Sequence, residues 1–156
     1  MDADKPHHLK NQPLSQSAET LTVPTAGPGF VEITREILQW LQTAGATDGM
    51  LTIFVRHTSA SLTIQENADP DVQSDLMSAL EGLAPRDGNY RHCAEGSDDM
   101  PAHIKSMVTA TSLNVPVLDG RPVLGTWQGV YVIEHRDRPH RREIVLHFIG
   151  SHKDGI

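Results

Sequence analysis

Leu113-Asn114-Val115-Pro116-Val117-Leu118, then Trp127-Gln128-Gly129-Val130-Tyr131-Val132-Ile133-Glu134-His135, then Glu143-Ile144-Val145-Leu146-His147-Phe148-Ile149: these three runs decide the fold. Each is rich in β-branched residues and too short for a buried helix. Asp119-Gly120 and the polar stretch 136–141 separate them, so the pattern predicts strands at 113–118, 127–135 and 143–149 joined by turns. Upstream, residues 50–56 read as a central strand entered through an Asp48-Gly49 turn. Residues 62–65 read as a short strand, and Thr20-Leu21-Thr22-Val23 alternates as a half-buried strand does. Gly27-Pro28-Gly29 is a turn.

Helical spacing appears in two places. Val31-Glu32-Ile33 leads into a first helix with Ile33, Ile37, Leu38 and Leu41 on one face and Gly45 placed to end it. Asp69 caps a second helix and Pro70 suits its first turn; Val72, Leu76, Ala79, Leu80 and Leu83 should face the core. A short helical turn is expected at 102–108. Strands dominate and two main helices interrupt them. The expected fold class is therefore α+β, with packed, mostly antiparallel sheets. Residues 1–15 read as a flexible arm, and 16–156 as one domain, which suits a chain of 156 residues.

Composition excludes several function classes. Acidic residues outnumber basic ones, 20 to 13, for a formal charge of −7. That argues against general nucleic-acid binding, which needs cations to displace phosphate counterions. No apolar run approaches the roughly 20 residues of a bilayer span, and the N-terminus lacks a signal-peptide pattern. Cys93 stands alone, which suits a reducing compartment. A cytoplasmic protein with no membrane or nucleic-acid partner is expected.

Three polar clusters can carry chemistry. The first, Arg56-His57-Thr58-Ser59-Ala60-Ser61, continues to Glu66-Asn67 and Asp69-Pro70-Asp71; histidine and hydroxyls after an apolar strand offer a base and anion-binding groups, with Glu66 and Asp71 as oxygen donors. A strand end running into a capped helix accounts for much of it too. The second runs from Tyr90-Arg91-His92 through Glu95, Asp98 and Asp99 to His103, within a long polar segment of the kind that usually serves a function. Two histidines with carboxylates between them suit a divalent metal or an acid–base pair, although the spacing matches no common zinc motif. The third is Gly125-Thr126-Trp127-Gln128-Gly129, where glycines allow close approach of a ligand or another subunit, although a turn with an anchoring tryptophan accounts for it too. A basic stretch at Arg136, Arg138, His140, Arg141 and Arg142 reads as a solvated hairpin tip, and His135 and His147 read as packed or surface strand residues.

Together these clusters resemble the YjbQ family, from about residue 27 to 150. The most specific match is Ser112-Leu113-Asn114-Val115-Pro116-Val117-Leu118-Asp119-Gly120-Arg121, followed by Gly125-Thr126-Trp127-Gln128-Gly129-Val130. His57–Thr63, Glu66-Asn67, Asp69-Pro70, His92, Glu95-Gly96 and Asp98-Asp99 also fit. The resemblance implies a homotrimer with sites near subunit boundaries, and weak thiamine-phosphate synthesis, in which hydroxymethylpyrimidine diphosphate is joined to a thiazole phosphate. Dedicated enzymes of that kind are (β/α)₈ barrels, too large for this chain. Metal-assisted hydrolysis of a phosphorylated metabolite, or non-enzymatic metabolite binding by the trimer, are the alternatives. We expect a divalent metal ion, zinc or magnesium, on His57, His92 and His103. His92, His57 and Asp98 are the expected catalytic groups. Arg56, Thr58, Ser59, Asn67, Lys105, Thr126, Trp127 and Gln128 are expected to bind substrate, with Trp127 stacking on its ring.

Overall fold

A computed structural model describes residues 12–153. In chain order the elements are β1 (Ser15–Thr25), β2 (Gly29–Glu32), α1 (Thr34–Thr43), β3 (Ala46–Val55), β4 (Ala60–Glu66), α2 (Pro70–Leu83), α3 (Asp99–Val108), β5 (Ser112–Leu118), β6 (Arg121–Pro122), β7 (Gln128–Glu134) and β8 (His140–His152). They form a five-stranded sheet in the order β1-β8-β3-β5-β6 and a three-stranded sheet in the order β2-β7-β4. Every pairing is antiparallel. The fold is α+β, as expected, with β3 central. Most of the expected arm lies outside the described residues; 12–14 precede β1 without regular structure.

Period-2 alternation builds the core. Leu51, Ile53 and Val55 of β3 and Ile144, Leu146 and Phe148 of β8 point inward. They meet Leu62, Val130 and Val132 of the smaller sheet and Ile37 and Leu41 of α1 in one apolar cluster. Burying a side chain of this kind is worth about 1.5–3 kcal/mol. The turn at Asp119-Gly120 closes the β5–β6 hairpin, with both residues in the left-handed region (φ 50 and 76) that such tight turns require.

Several expectations are corrected. Asp48-Gly49 is not a turn, because β3 already begins at Ala46 and runs through it across a register shift. Gly49 faces Gly150 there, so closely that a Cβ would lie 2.2 Å from the Ile149 carbonyl oxygen. Residues 31 and 32 form the end of β2 rather than a lead-in to α1, pairing with β7 through Val31↔Val132 and Glu32↔Tyr131. Asp69 does cap α2, its Oδ1 accepting from the Asp71 N–H at 2.9 Å. Yet no α2 side chain is fully buried, and Leu83 is exposed. This helix lies outside the small sheet instead of between the sheets, and Leu76 and Leu80 line a shallow cleft with Phe30, Thr63 and Ile133. The expected turn at 102–108 is a third full helix, α3, which starts at Asp99.

Candidate functional site

The β4–β7 ladder sets the positions of the expected site residues. It runs from Ala60↔Glu134 at one end to Glu66↔Gln128 at the other, six residue steps or about 20 Å at 3.3 Å per residue. His57, Thr58 and Ser59 precede β4, and Arg136 follows β7, so these sit at the first end. Gln128 begins β7 at the other end, where the Asn67 N–H donates to the Trp127 carbonyl at 3.0 Å. Thr126, Trp127 and Gln128 are all exposed there, Trp127 by 63%. Within one chain the Thr-Trp-Gln turn and the histidine end do not meet.

At the first end, α3 carries Asp99 and His103 one turn apart on one face. The preceding loop brings His92 onto them after Gly96 (φ +105) turns the chain. Asp99 is buried, and its Oδ2 accepts from His92 Nε2 at 2.5 Å and lies 3.4 Å from His103 Nε2. The two imidazoles meet edge to face at 5.5 Å. Ligand atoms of His92, Asp99 and His103 all lie within 4.8 Å of one another. The other Asp99 oxygen accepts from Arg136 Nη1 at 2.5 Å. Arg136 also donates from Nε to Asp98 at 2.9 Å and from Nη2 to the Glu95 carbonyl at 3.0 Å. Arg136 is thus a clamp on the His92-bearing loop rather than part of a solvated tip.

The donor set fits a divalent ion. Zinc bonds of about 2.0–2.1 Å in a tetrahedron place ligand atoms about 3.3 Å apart. The His103–Asp99 separation already matches that, and His92 would exchange its hydrogen bond for a metal bond with a small outward shift. Two imidazole nitrogens and one carboxylate oxygen suit zinc better than magnesium, which prefers oxygen donors and retained waters. His92 and His103 keep 47% and 35% of their side-chain surface exposed, so the cluster opens outward and leaves coordination positions free.

His57, which the sequence reading placed beside these ligands, is engaged elsewhere, and Asp99 completes the group in its stead. His57 Nε2 accepts the Glu143 backbone N–H at 2.8 Å. Neutral His57 therefore carries its proton on Nδ1 and presents a donor. Partial burial and the Arg142 guanidinium hold its pKa below the usual value, so it stays neutral at pH 7. Asp98 accepts from Arg136 Nε and from the Asp137 N–H at 3.0 Å. Burial alone would raise its pKa, but those hydrogen bonds outweigh it and hold the carboxyl below its ordinary value. Lys105 is buried beneath α2, paired with Glu81. Arg56 is exposed beside Glu143 at 3.6 Å.

Sequence reasoning missed a buried polar hub behind this end. Glu134 is fully buried and accepts from Arg142 Nη2 at 2.5 Å, Arg142 Nε at 2.9 Å and Thr25 Oγ1 at 2.6 Å. Arg142 Nη2 in turn reaches Ser59 Oγ at 3.0 Å, tying the His57 segment to the sheets. Beside it, His135 is buried with Nε2 on Ser61 Oγ at 2.8 Å. The one signal in the sequence was a Glu and an Arg at strand positions whose alternation points inward.

A family model described as UPF0047 protein YjbQ-like matches residues 19–151. UPF0047 protein sll1880 of Synechocystis sp. is 52% identical over 137 residues, covering 87% of this chain and 93% of that protein. Among solved structures, the conserved hypothetical protein TT1486 of Thermus thermophilus is 41% identical, with a TM-score of 0.73 over 82% of this chain and 97% of that one. A YbjQ-like protein of unknown function from Sulfolobus solfataricus superimposes with a TM-score of 0.82 at 22% identity, over 88% of this chain and 99% of that one, a likeness of fold alone.

Proposed function

Since the chain belongs to the UPF0047 YjbQ-like family, we propose from that premise that it is a metal-dependent enzyme of small phosphorylated metabolites, working as a cytoplasmic homotrimer. The observation that carries this reading is the convergence of His92, Asp99 and His103 at one partly open point. A divalent ion held by His92, Asp99 and His103 would supply positive charge against a departing phosphate or pyrophosphate, or would activate a water. The chain's own residues do the rest. Arg136 occupies one oxygen of Asp99, so the carboxylate presents only the other toward the histidines. His57 donates from Nδ1 to an oxyanion. Thr58 and Ser59 border the same end. Asn67, Thr126 and Trp127, about 20 Å away along the ladder, complete the pocket from a neighbouring subunit.

Pyrophosphate-releasing transfer of the thiamine-phosphate synthase type is the first reaction to test, because loss of pyrophosphate from a benzylic-type carbon needs this kind of charge stabilisation. Hydrolysis of a phosphate ester is the second reading, favoured by the exposure of His92 and His103, which admits water. The experiment incubates metal-replete protein with both thiamine precursors and, separately, with a panel of phosphate esters. Wild type should turn over one of the two, and His92→Ala should lose at least about tenfold in rate, a barrier change of about 1.4 kcal/mol, with its fold intact. Turnover of neither by wild type rejects the enzyme and leaves a metabolite-binding protein.

A further inference from the structure

At the far end of the ladder from the histidines, a cleft of about 250 Å³ opens between α1 and the β5–β6 hairpin, lined by Thr34, Leu38, Arg121, Pro122, Leu124 and Gln128. Its chemistry is one-sided. Leu38, Pro122 and Leu124 make an apolar wall, and Arg121 and Gln128 make the polar one. The chain carries a formal charge of −7, yet no carboxylate lines this cleft. Arg121 is exposed and pairs with no acidic side chain among the described residues.

Gln128 is held in a defined orientation. Its Oε1 accepts the Gly125 N–H at 2.8 Å, and its own backbone N–H donates to the Gly125 carbonyl at 3.1 Å. The side-chain oxygen is therefore taken, and the NH₂ group is what Gln128 has left to offer. Thr34 contributes only its methyl face, because its hydroxyl donates to Glu32 and accepts from the Val130 N–H. Glu32 itself is engaged by Thr34 and Tyr131. The free polar groups of the cleft are thus all donors: a guanidinium fork and an amide.

We propose that this cleft is a binding site for a small molecule that joins a flat apolar ring to an oxyanion. Arg121 takes the oxyanion through paired N–H donors, the geometry in which a guanidinium matches carboxylate or phosphate. The Gln128 amide adds a third donor, and the ring lies against Leu38 and Leu124. The volume falls just below the range of about 300–1,000 Å³ usual for drug-sized ligands, which limits the occupant to about one ring with its substituent. This assignment stands apart from the histidine cluster and does not depend on it.

Phenyl phosphate is a probe of that chemistry, and benzyl alcohol is its neutral counterpart. Binding is followed on the full-length protein through the Gln128 side-chain N–H and Arg121 Nε–H resonances. Phenyl phosphate should shift both resonances with a dissociation constant at least about tenfold, or 1.4 kcal/mol, tighter than benzyl alcohol. Arg121→Gln and, independently, Leu124→Asp should each weaken it at least about tenfold. Arg138→Gln on the distant hairpin should leave it unchanged. Phosphate and carboxylate are separated by repeating the titration with benzoate. Undiminished binding in both Arg121→Gln and Leu124→Asp would overturn the site. So would loss confined to His92→Ala, or the absence of any shift with phenyl phosphate up to about 10 mM, which means binding weaker than about −2.7 kcal/mol.

Discussion

Asp99 and Glu134 show how single carboxylates organise this end of the molecule. Each is buried and shared among several donors, one facing outward to histidines and the other inward to Arg142. Removing one partner from such a pair leaves an uncompensated buried charge, costing about 3–5 kcal/mol. His135 is a third buried group, and its Nδ1 has no hydrogen-bond partner among the described residues. Burial, aided by the nearby Lys105 ammonium, pushes its pKa down to about 4. The unfolded chain takes up this proton near pH 6.5, whereas the folded chain resists it until about pH 4. Stability should therefore be full above about pH 6.5 and fall with decreasing pH by about 3 kcal/mol in total by pH 4. Urea unfolding at several pH values checks this: His135→Gln should lose that slope, and an unchanged slope would show that another group causes it.

Among the elements, β3 and β8 carry the fold through a crossing that tolerates no side chain. Gly49 and Gly150 face one another, and a Cβ on Gly49 would lie 2.7 Å from the Gly150 Cα. Gly49→Ala should destabilise by at least about 1–3 kcal/mol, the usual cost of overpacking, measured as a lower denaturation midpoint. Here the limits of sequence reading are plain. The strands at 113–118, 127–135 and 143–149 were legible because alternation and β-branched residues repeat locally. Asp48-Gly49 misled, because the same dipeptide marks a turn or a glycine pressed against another strand, and only the pairing partner decides. The length of α3 was hidden by the polar residues at its start. Asp99 was consequently read as a loop residue, although its spacing of four from His103 becomes one helical face once the helix is extended. For Glu134 and Arg142 only the inward strand position was legible, and which charge meets which, Arg136 included, was not. Long-range pairing of charged residues leaves no periodic trace.

Among the described residues, nothing covers the outer face of the larger sheet at its centre. Met50, Phe54 and Ile149 are 40%, 44% and 47% exposed there, with Met50 and Ile149 directly opposite in the ladder. Apolar sheet faces of this kind mark association surfaces. In the proposed trimer this face is covered, and the separation of the two halves of the site along the β4–β7 ladder is resolved between neighbours. Phe54→Glu should lower the mass seen by light scattering from three times 17.1 kDa toward that of one chain. His92→Ala mixed with Trp127→Ala and reassembled should regain part of the activity that neither has alone, since some interfaces then hold one intact copy of each half. Activity of a stable monomer would refute the shared pocket.

Calorimetric titration of chelator-treated protein with zinc shows whether His92, Asp99 and His103 hold a divalent ion. One ion per chain should bind. His92→Ala, His103→Ala and Asp99→Asn should each lower affinity by at least about tenfold, and Arg136→Gln by a smaller factor through the freed Asp99 oxygen. Absence of zinc uptake, or uptake indifferent to all three ligand substitutions, would contradict it.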